Sequence, residues 1–267
     1  MRYQAYAQKL PGFMTRPLFG DRNQFGLTPD ESDACWKEWT HTYHEFYERT
    51  QKQGVGAIIN ESGYKILESI DLTGLNVLEV GPGGLYHTTY WKGQPNNYVL
   101  VDIDKQFLDT AAEKLENLGV ASTRRLTDRD ASGRLPAEDG EFDLIISFYS
   151  LEHLYPFPTH FKEILRVLRP GGQIAGAIPA EGGLAWGLGR FLTSRRWLKR
   201  NTRINPDKII CWEHPTLADE ILDCLSTHMS QKRLSFWPLQ VHSIDFNLVV
   251  RFIFQKPLGL APTRALD

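Results

Sequence analysis

Between Asn76 and Ile178 short apolar runs alternate with helical stripes, and that rhythm admits few folds. Asn76-Val77-Leu78-Glu79-Val80 is a short apolar run ending in a glycine turn, which suits a buried parallel strand. Tyr98–Val101, Thr123–Leu126, Phe142–Phe148 and Gln173–Ile178 read as four more strands. Between them Asp104 can cap a helix whose Phe107, Leu108, Ala111, Ala112 and Leu115 share one face. A second stripe, Phe161, Ile164, Leu165 and Leu168, is stopped by Pro170-Gly171-Gly172. Strands separated by helices pair in parallel, so the sheet is doubly wound.

The flanks follow other rules. Residues 1–27 carry scattered Pro, Gly and aromatic side chains and read as an irregular arm over the surface. Thr28-Pro29-Asp30-Glu31 predicts a helix start, with the helix running to about Gln51. A second helix fits Ala57–Ile70, with Ile58, Ile66, Leu67 and Ile70 on its buried side. After Ile178 the rhythm breaks into an insertion rich in Gly, Trp and Arg, before a helix opened by Thr216 with Asp219 three residues on. Leu234–Leu239 and Phe246–Phe254 close the chain as an antiparallel pair. The expected fold is α/β: a Rossmann-like, doubly wound, seven-stranded sheet with N-terminal helices and an insertion after strand five. Its parts are an arm and helical lid over 1–74, a cofactor-binding core over 75–180, a basic aromatic insertion over 181–215, and the closing helix and strands over 216–267.

Composition removes several function classes. In 267 residues, 30 Lys and Arg face 32 Asp and Glu, and this near-neutral balance argues against nucleic acid as a partner. Hydrophobic residues at 42% and a mean hydropathy of −0.35 exclude extensive disorder. No apolar run approaches the roughly 18 residues of a membrane span, and Met1–Met14 lacks the apolar segment of a secretory signal. Cys35, Cys211 and Cys224 form no CxxC pair and no metal-ligand spacing, so a reducing, cytoplasmic setting is expected and no metal.

Leu78-Glu79-Val80-Gly81-Pro82-Gly83-Gly84 sits where the first strand meets a helix, so the backbone can approach a ligand at the helix N-terminus. Asp102 ends the second strand 23 residues after Glu79, where a carboxylate can accept both hydroxyls of a ribose. A dinucleotide fingerprint would need a third glycine where Tyr86 stands, and a small or apolar residue in place of Glu79.

Taken in order, Val77–Gly83, Val101-Asp102-Ile103-Asp104, Leu135-Pro136 with Glu141–Ile145, Leu151-Glu152-His153-Leu154 and Leu168–Gly172 resemble the motifs of class I S-adenosylmethionine-dependent methyltransferases of the broad bacterial small-molecule type. The match covers about Asn76–Ile178, and it departs from the family pattern where the loop's third glycine falls at Leu85. The resemblance implies S-adenosyl-L-methionine as cofactor. It assigns the methionine ammonium to Glu79, the methionyl chain to Gly81, Pro82 and Gly83, the ribose to Asp102 and the adenine ring to Ile103. It assigns the adenine amino group to Asp130-Ala131, with Asp128 as a rival, and the sulfonium surroundings to Ser147 and Phe148.

Transfer to a hydroxyl benefits from a general base, and the candidates are His153, His87 and the pair Glu213-His214. Between Glu181 and Asp207 there is no acid, while Arg190, Arg195, Arg196, Lys199, Arg200 and Arg203 interleave with Trp186, Phe191 and Trp197. That insertion reads either as a cap over the pocket or as an element for anionic membrane or lipid-linked phosphate, at the inner membrane's periphery. A looser similarity to methyltransferases of surface-polysaccharide clusters implies a glycan hydroxyl as acceptor. Competing readings are a quinone-like or other small-metabolite acceptor, and a catalytically silent cofactor-binding module.

Overall fold

The computed structural model describes residues 3–46, 54–127 and 133–259. Seven strands form one sheet: β1 (Asn76–Val80), β2 (Asn97–Asp102), β3 (Ser122–Leu126), β4 (Phe142–Phe148), β5 (Leu168–Pro179), β6 (Ser230–Trp237) and β7 (Val249–Gln255). Their order is β3-β2-β1-β4-β5-β7-β6, parallel through β5, with β7 antiparallel to both β5 and β6. Helices follow in chain order as α1 (Gly12–Phe19), α2 (Arg22–Phe25), α3 (Ala34–Phe46), α4 (Gly54–Tyr64), α5 (Lys105–Asn117), α6 (Phe157–Val167), α7 (Leu184–Leu192), α8 (Ser194–Asn201), α9 (Pro206–Glu213) and α10 (Ala218–His228). The expected seven-stranded α/β fold is the one observed.

The two-residue period of the strands sorts side chains between two cores. Leu78, Val99, Val101 and Ile145 pack with Phe161, Ile164 and Ile221 on one face of the sheet. Val77, Tyr98, Leu100 and Leu144 pack with Leu108, Ala111 and Leu115 on the other. Glu79 and Asp102 fall on this second face by the same alternation, two acids on the side that holds Tyr98. Asp104 caps α5 as expected, accepting a hydrogen bond from the Gln106 N–H at 2.8 Å.

Several local expectations give way to tertiary demands. The helix forecast from Thr28 begins at Ala34, capped by Asp33, whose Oδ1 accepts from the Cys35 N–H at 2.8 Å; its forecast end at Gln51 lies outside the described residues. The helix forecast over Ala57–Ile70 is α-helical only to Tyr64 and continues as a 3₁₀ turn over Lys65–Ser69, while Ile58 is exposed. β5 begins at Leu168, so α6 ends one residue short of its expected stripe. Leu217, not Thr216, starts α10: its N–H donates to the Glu220 carboxylate, and the Thr216 hydroxyl donates to the Leu154 carbonyl. Phe246 is exposed and lies ahead of β7.

The helix expected after the glycine loop is also missing. Glycines 81, 83, 84 and 93 with prolines 82 and 95 leave only the short run Leu85–Lys92 between them, and a single 3₁₀ turn, Thr88–Tyr90, takes the helix's place. Leu85 turns the chain with φ of 50°, a left-handed conformation that costs a non-glycine residue about 1–2 kcal/mol. Its side chain is fully buried in the second core, and burial of a leucine contributes about as much as that strain costs.

A third, smaller core joins the N-terminal segment to the insertion. Trp36 and Trp39 of α3 pack with Leu198, Ile209 and Trp212, and the Trp36 and Trp212 rings meet edge-on at 6.1 Å. This cap changes the reading of the insertion. Arg190 donates to both Glu181 oxygens at 2.6 and 2.8 Å, and Arg195 to both Asp207 oxygens at 2.5 and 3.0 Å. The two acids that bracket the basic stretch thus neutralise two of its arginines. Trp186 donates to Glu181 and packs on the first core, and Trp197 packs on the third, so the tryptophans face inward rather than toward a headgroup layer. Among the described residues no helix is long and apolar enough to cross a membrane.

Arg195 is therefore expected to behave as a structural residue. Arg195→Gln should lower stability by about 2 kcal/mol, since it leaves Asp207 without its partner in a part-buried pair. Arg196→Gln, Lys199→Gln and Arg200→Gln together should cost less than about 0.5 kcal/mol. Urea unfolding midpoints at constant slope compare them, and equal midpoints would remove the structural role.

Candidate active site

The carboxyl ends of the parallel strands open into a cavity of about 1150 Å³, roofed by α3, α7, α8 and α9. Its floor is the glycine loop. Gly81, with φ of 70°, donates its N–H to the Val101 carbonyl at 2.9 Å, and Gly81, Pro82 and Gly83 line the cavity.

Below the loop Glu79 is 1% exposed. One oxygen lies 2.8 Å from His87 Nε2 and the other accepts from the Tyr98 hydroxyl at 2.5 Å. Trp91 Nε1 donates to His87 Nδ1 at 3.0 Å, which places the His87 hydrogen on Nε2, directed at Glu79. Both donors to this buried carboxylate are thus neutral, and an anion held so can accept a cationic group from a ligand. Tyr98 escaped the sequence reading because it looks like one more apolar strand residue. His87, forecast on a helix, instead sits in the loop as the link between Glu79 and Trp91.

At the end of β2, Asp102 lines the cavity and its Oδ1 accepts from the Asp104 N–H at 2.9 Å. Burial pushes its carboxyl up to about 6, against the pull of its backbone hydrogen bonds. Ile103, next to it, presents an exposed side chain to the same space. Phe148 forms the wall at the end of β4, its ring 5.0 Å from both His87 and Tyr64. Ser147 does not reach the cavity. It is fully buried behind the wall, where its hydroxyl pairs with that of Ser150 at 3.1 Å, and Ser150 lines the cavity in its stead. Asp130, Ala131 and the rival Asp128 lie outside the described residues.

The opposite side gathers histidines from distant segments. His153 Nδ1 contacts the Glu213 backbone carbonyl and lies 3.3 Å from the Glu213 carboxylate, whose other oxygen accepts from Trp39 Nε1 at 2.7 Å. His214 Nδ1 lies 2.8 Å from Glu181 Oε2. Arg22 of α2 donates to the His214 and Pro215 carbonyls at 2.8 and 2.6 Å, which pins the backbone of this junction. The two imidazoles meet edge-on at 4.9 Å. Burial alone would raise Glu181, yet the Arg190 charge and the His214 hydrogen bond outweigh it and hold the acid below the usual carboxylate range. Glu152 is also buried, and burial raises its carboxyl despite the nearby histidines. No metal was expected from residue spacing, whereas the fold brings ligand atoms of Glu152, His153 and His214 within 4.8 Å of one another. Glu152 and Glu181 were unread as site residues: Glu152 is adjacent to His153 in the chain, but only the path of the insertion brings His214 to both acids.

With this geometry in hand, comparison with known proteins gives a consistent class. Residues 78–176 match the methyltransferase domain family. The chain is 32% identical over 82 residues to the ubiquinone/menaquinone biosynthesis C-methyltransferase of Haemophilus ducreyi, covering 31% of each chain. It is 29% identical over 150 residues to the malonyl-[acyl-carrier protein] O-methyltransferase of Buchnera aphidicola, covering 55% of this chain and 58% of that one. These matches thus span less than two thirds of either relative. A methyltransferase structure from Bacillus halodurans superposes with a TM-score of 0.51 at 14% identity, over 73% of this chain and 97% of that one, and shows the shared fold. The sheet order and the matched segment together define a class I S-adenosylmethionine-dependent methyltransferase domain. S-adenosyl-L-methionine is the cofactor of that domain.

Proposed function

We propose that this protein transfers the methyl group of S-adenosylmethionine to an oxygen of a small, ring-shaped acceptor. The observation that carries the reading is the pair His153 and His214, each held through Nδ1 by a carboxylate-bearing residue, in the cavity that also contains Glu79 and Asp102. The residues fit the cofactor. Glu79, anionic and ringed by neutral donors, suits the methionine ammonium, while Asp102 suits the ribose hydroxyls and Ile103 the face of the adenine. Gly81, Pro82 and Gly83 let the methionyl chain pass, and Phe148 keeps water from it. About 1150 Å³ exceeds the roughly 300–1,000 Å³ that one drug-sized ligand fills, which leaves room for an acceptor beside the cofactor.

The cofactor supplies an activated sulfonium methyl group. This chain's residues align the acceptor, exclude water and manage one proton. Trp39, Tyr43, Trp197 and Trp212 offer faces for a ring to stack on. The acceptor hydroxyl would meet the histidines and give up its proton there, while its oxygen is aligned toward the methyl group that the cofactor, when bound, would supply. Glu213 and Glu181 orient the two rings and stabilise the charge that the proton brings. A phenol or quinol ranks ahead of a glycan hydroxyl. The relatives compared above are named for ubiquinone/menaquinone C-methylation and malonyl-carrier O-methylation, and Glu181 and Asp207 take up two of the insertion's six cations.

Two outcomes are expected. With a panel of quinols, phenols and glycans, S-adenosylhomocysteine should form with a ring hydroxyl, and His214→Ala should lower kcat by about a hundredfold with cofactor affinity within twofold. Unchanged kcat in both His214→Ala and His153→Ala would exclude an oxygen acceptor activated here, and no turnover with any acceptor would favour a silent cofactor-binding module. Cofactor affinity should hold above pH 6 and fall below it until it levels off about thirtyfold weaker, since only ionised Asp102 accepts both ribose hydroxyls. Asp102→Ala should cost about 2 kcal/mol of binding at neutral pH. Calorimetry across this range reads both, and a flat profile would remove Asp102 from the ribose.

A further inference from the structure

Glu152 is 2% exposed, and its Oε2 is buried without a hydrogen-bond partner. An orphaned carboxylate oxygen in such a place costs stability unless something meets it. Thr216 donates its N–H to the Glu152 carbonyl at 3.2 Å, which holds this residue against the stretch that carries His214. Glu152, His153 and His214 all line the cavity, and each offers one ligand atom within 4.8 Å of the other two.

We infer that Glu152, His153 and His214 form a binding site for a divalent first-row transition-metal ion. Two imidazoles and a carboxylate are a donor set that such ions prefer and that leaves coordination positions open. The surrounding residues supply the usual second layer. Glu181 holds His214 through Nδ1 and Glu213 holds His153 through Nδ1, so Nε2 is the ligating atom of each ring. Ligand atoms about 2.1 Å from a common ion stand about 3–3.4 Å apart, so loading draws the three side chains inward by an ångström or so. Glu152, Glu181 and Glu213 outnumber Arg190 and Arg22, the two cations beside this group, and the excess of acids favours a cation.

This inference rests on the function proposed above for its role, though not for its existence. A bound ion would take the acceptor oxygen into an open position and acidify it, its proton leaving to a solvent water, and so take over that task from the free imidazoles.

The test uses the full chain, stripped with a chelator, without cofactor or acceptor. Titration with Zn²⁺ by calorimetry and with Co²⁺ by visible absorption should show one ion per chain. Glu152→Gln should weaken binding by about a hundredfold and abolish the rise in melting temperature that the ion gives the wild type. Without the ion that variant should melt no lower than the wild type, because a neutral amide replaces an unsatisfied carboxylate, so a loss of binding is not a loss of folding. His214→Asn should weaken binding likewise. No uptake of either ion, or uptake undiminished by Glu152→Gln, overturns the site and leaves Glu152 a buried acid with an unmet oxygen. Cofactor affinity measured on the same sample reports separately on the methyltransferase reading.

Discussion

Glu181 stands just beyond the end of β5 with 1% of its surface exposed, and three side chains converge on its carboxylate. Arg190 takes both oxygens, while Trp186 and His214 share one of them. A carboxylate so far from water survives as an anion only because these groups replace its hydration, and removing one partner of such a pair costs about 3–5 kcal/mol. The first helix of the insertion is therefore fastened to the sheet by charge as well as by apolar contact. The same contact aims His214 into the cavity, and Glu213, held by Trp39, does the equivalent for His153. Orientation of the histidines and attachment of the cap thus depend on one another.

The parallel core was legible because its signals are local. Strands buried on both faces are apolar throughout, Asp104 can cap only the helix that begins beside it, and the acid at the end of β2 lies at a fixed distance from the glycine loop. Where the forecast failed, two local signals competed or a distant contact decided. Thr28 and Asp33 are both sound caps. Asp30 accepts from the N–H and hydroxyl of Ser32 and turns the chain between them, so the helix starts where Trp36 can reach Trp212. A stretch of arginine and tryptophan has the same composition whether it faces a membrane or a core, and only Glu181 and Asp207, from outside the stretch, show where Arg190 and Arg195 turn.

The candidate site divides along the same line. Glu79, Gly81, Pro82, Gly83, Asp102 and Phe148 come from the ends of β1, β2 and β4, and all of them line the cavity as a run of strand ends predicts. Ser147 and Phe148 are neighbours on one strand and point to opposite faces, so only Phe148 lines the cavity. Ser150, which also lines it, lies past Tyr149, whose φ of 55° turns the chain sharply after β4 and whose hydroxyl donates to the Ile59 and Asn60 carbonyls. Such a left-handed tyrosine has no signature in sequence and belongs to the kind of strained backbone that gathers at functional sites.

The third core has a further consequence for how the molecule folds and opens. Its tryptophans come from α3, α8 and α9, and Trp39 and Glu213 are separated by 174 residues. Closing so long a loop rewards the chain only after the sheet between its ends already exists, so the roof is assembled late. It is also smaller than either core flanking the sheet, which makes it yield before them in a partial unfolding event. Native-state amide exchange would then proceed faster in the roof than in the floor, and ligands would come and go by brief undocking of the roof while the cofactor's half of the cavity stays built.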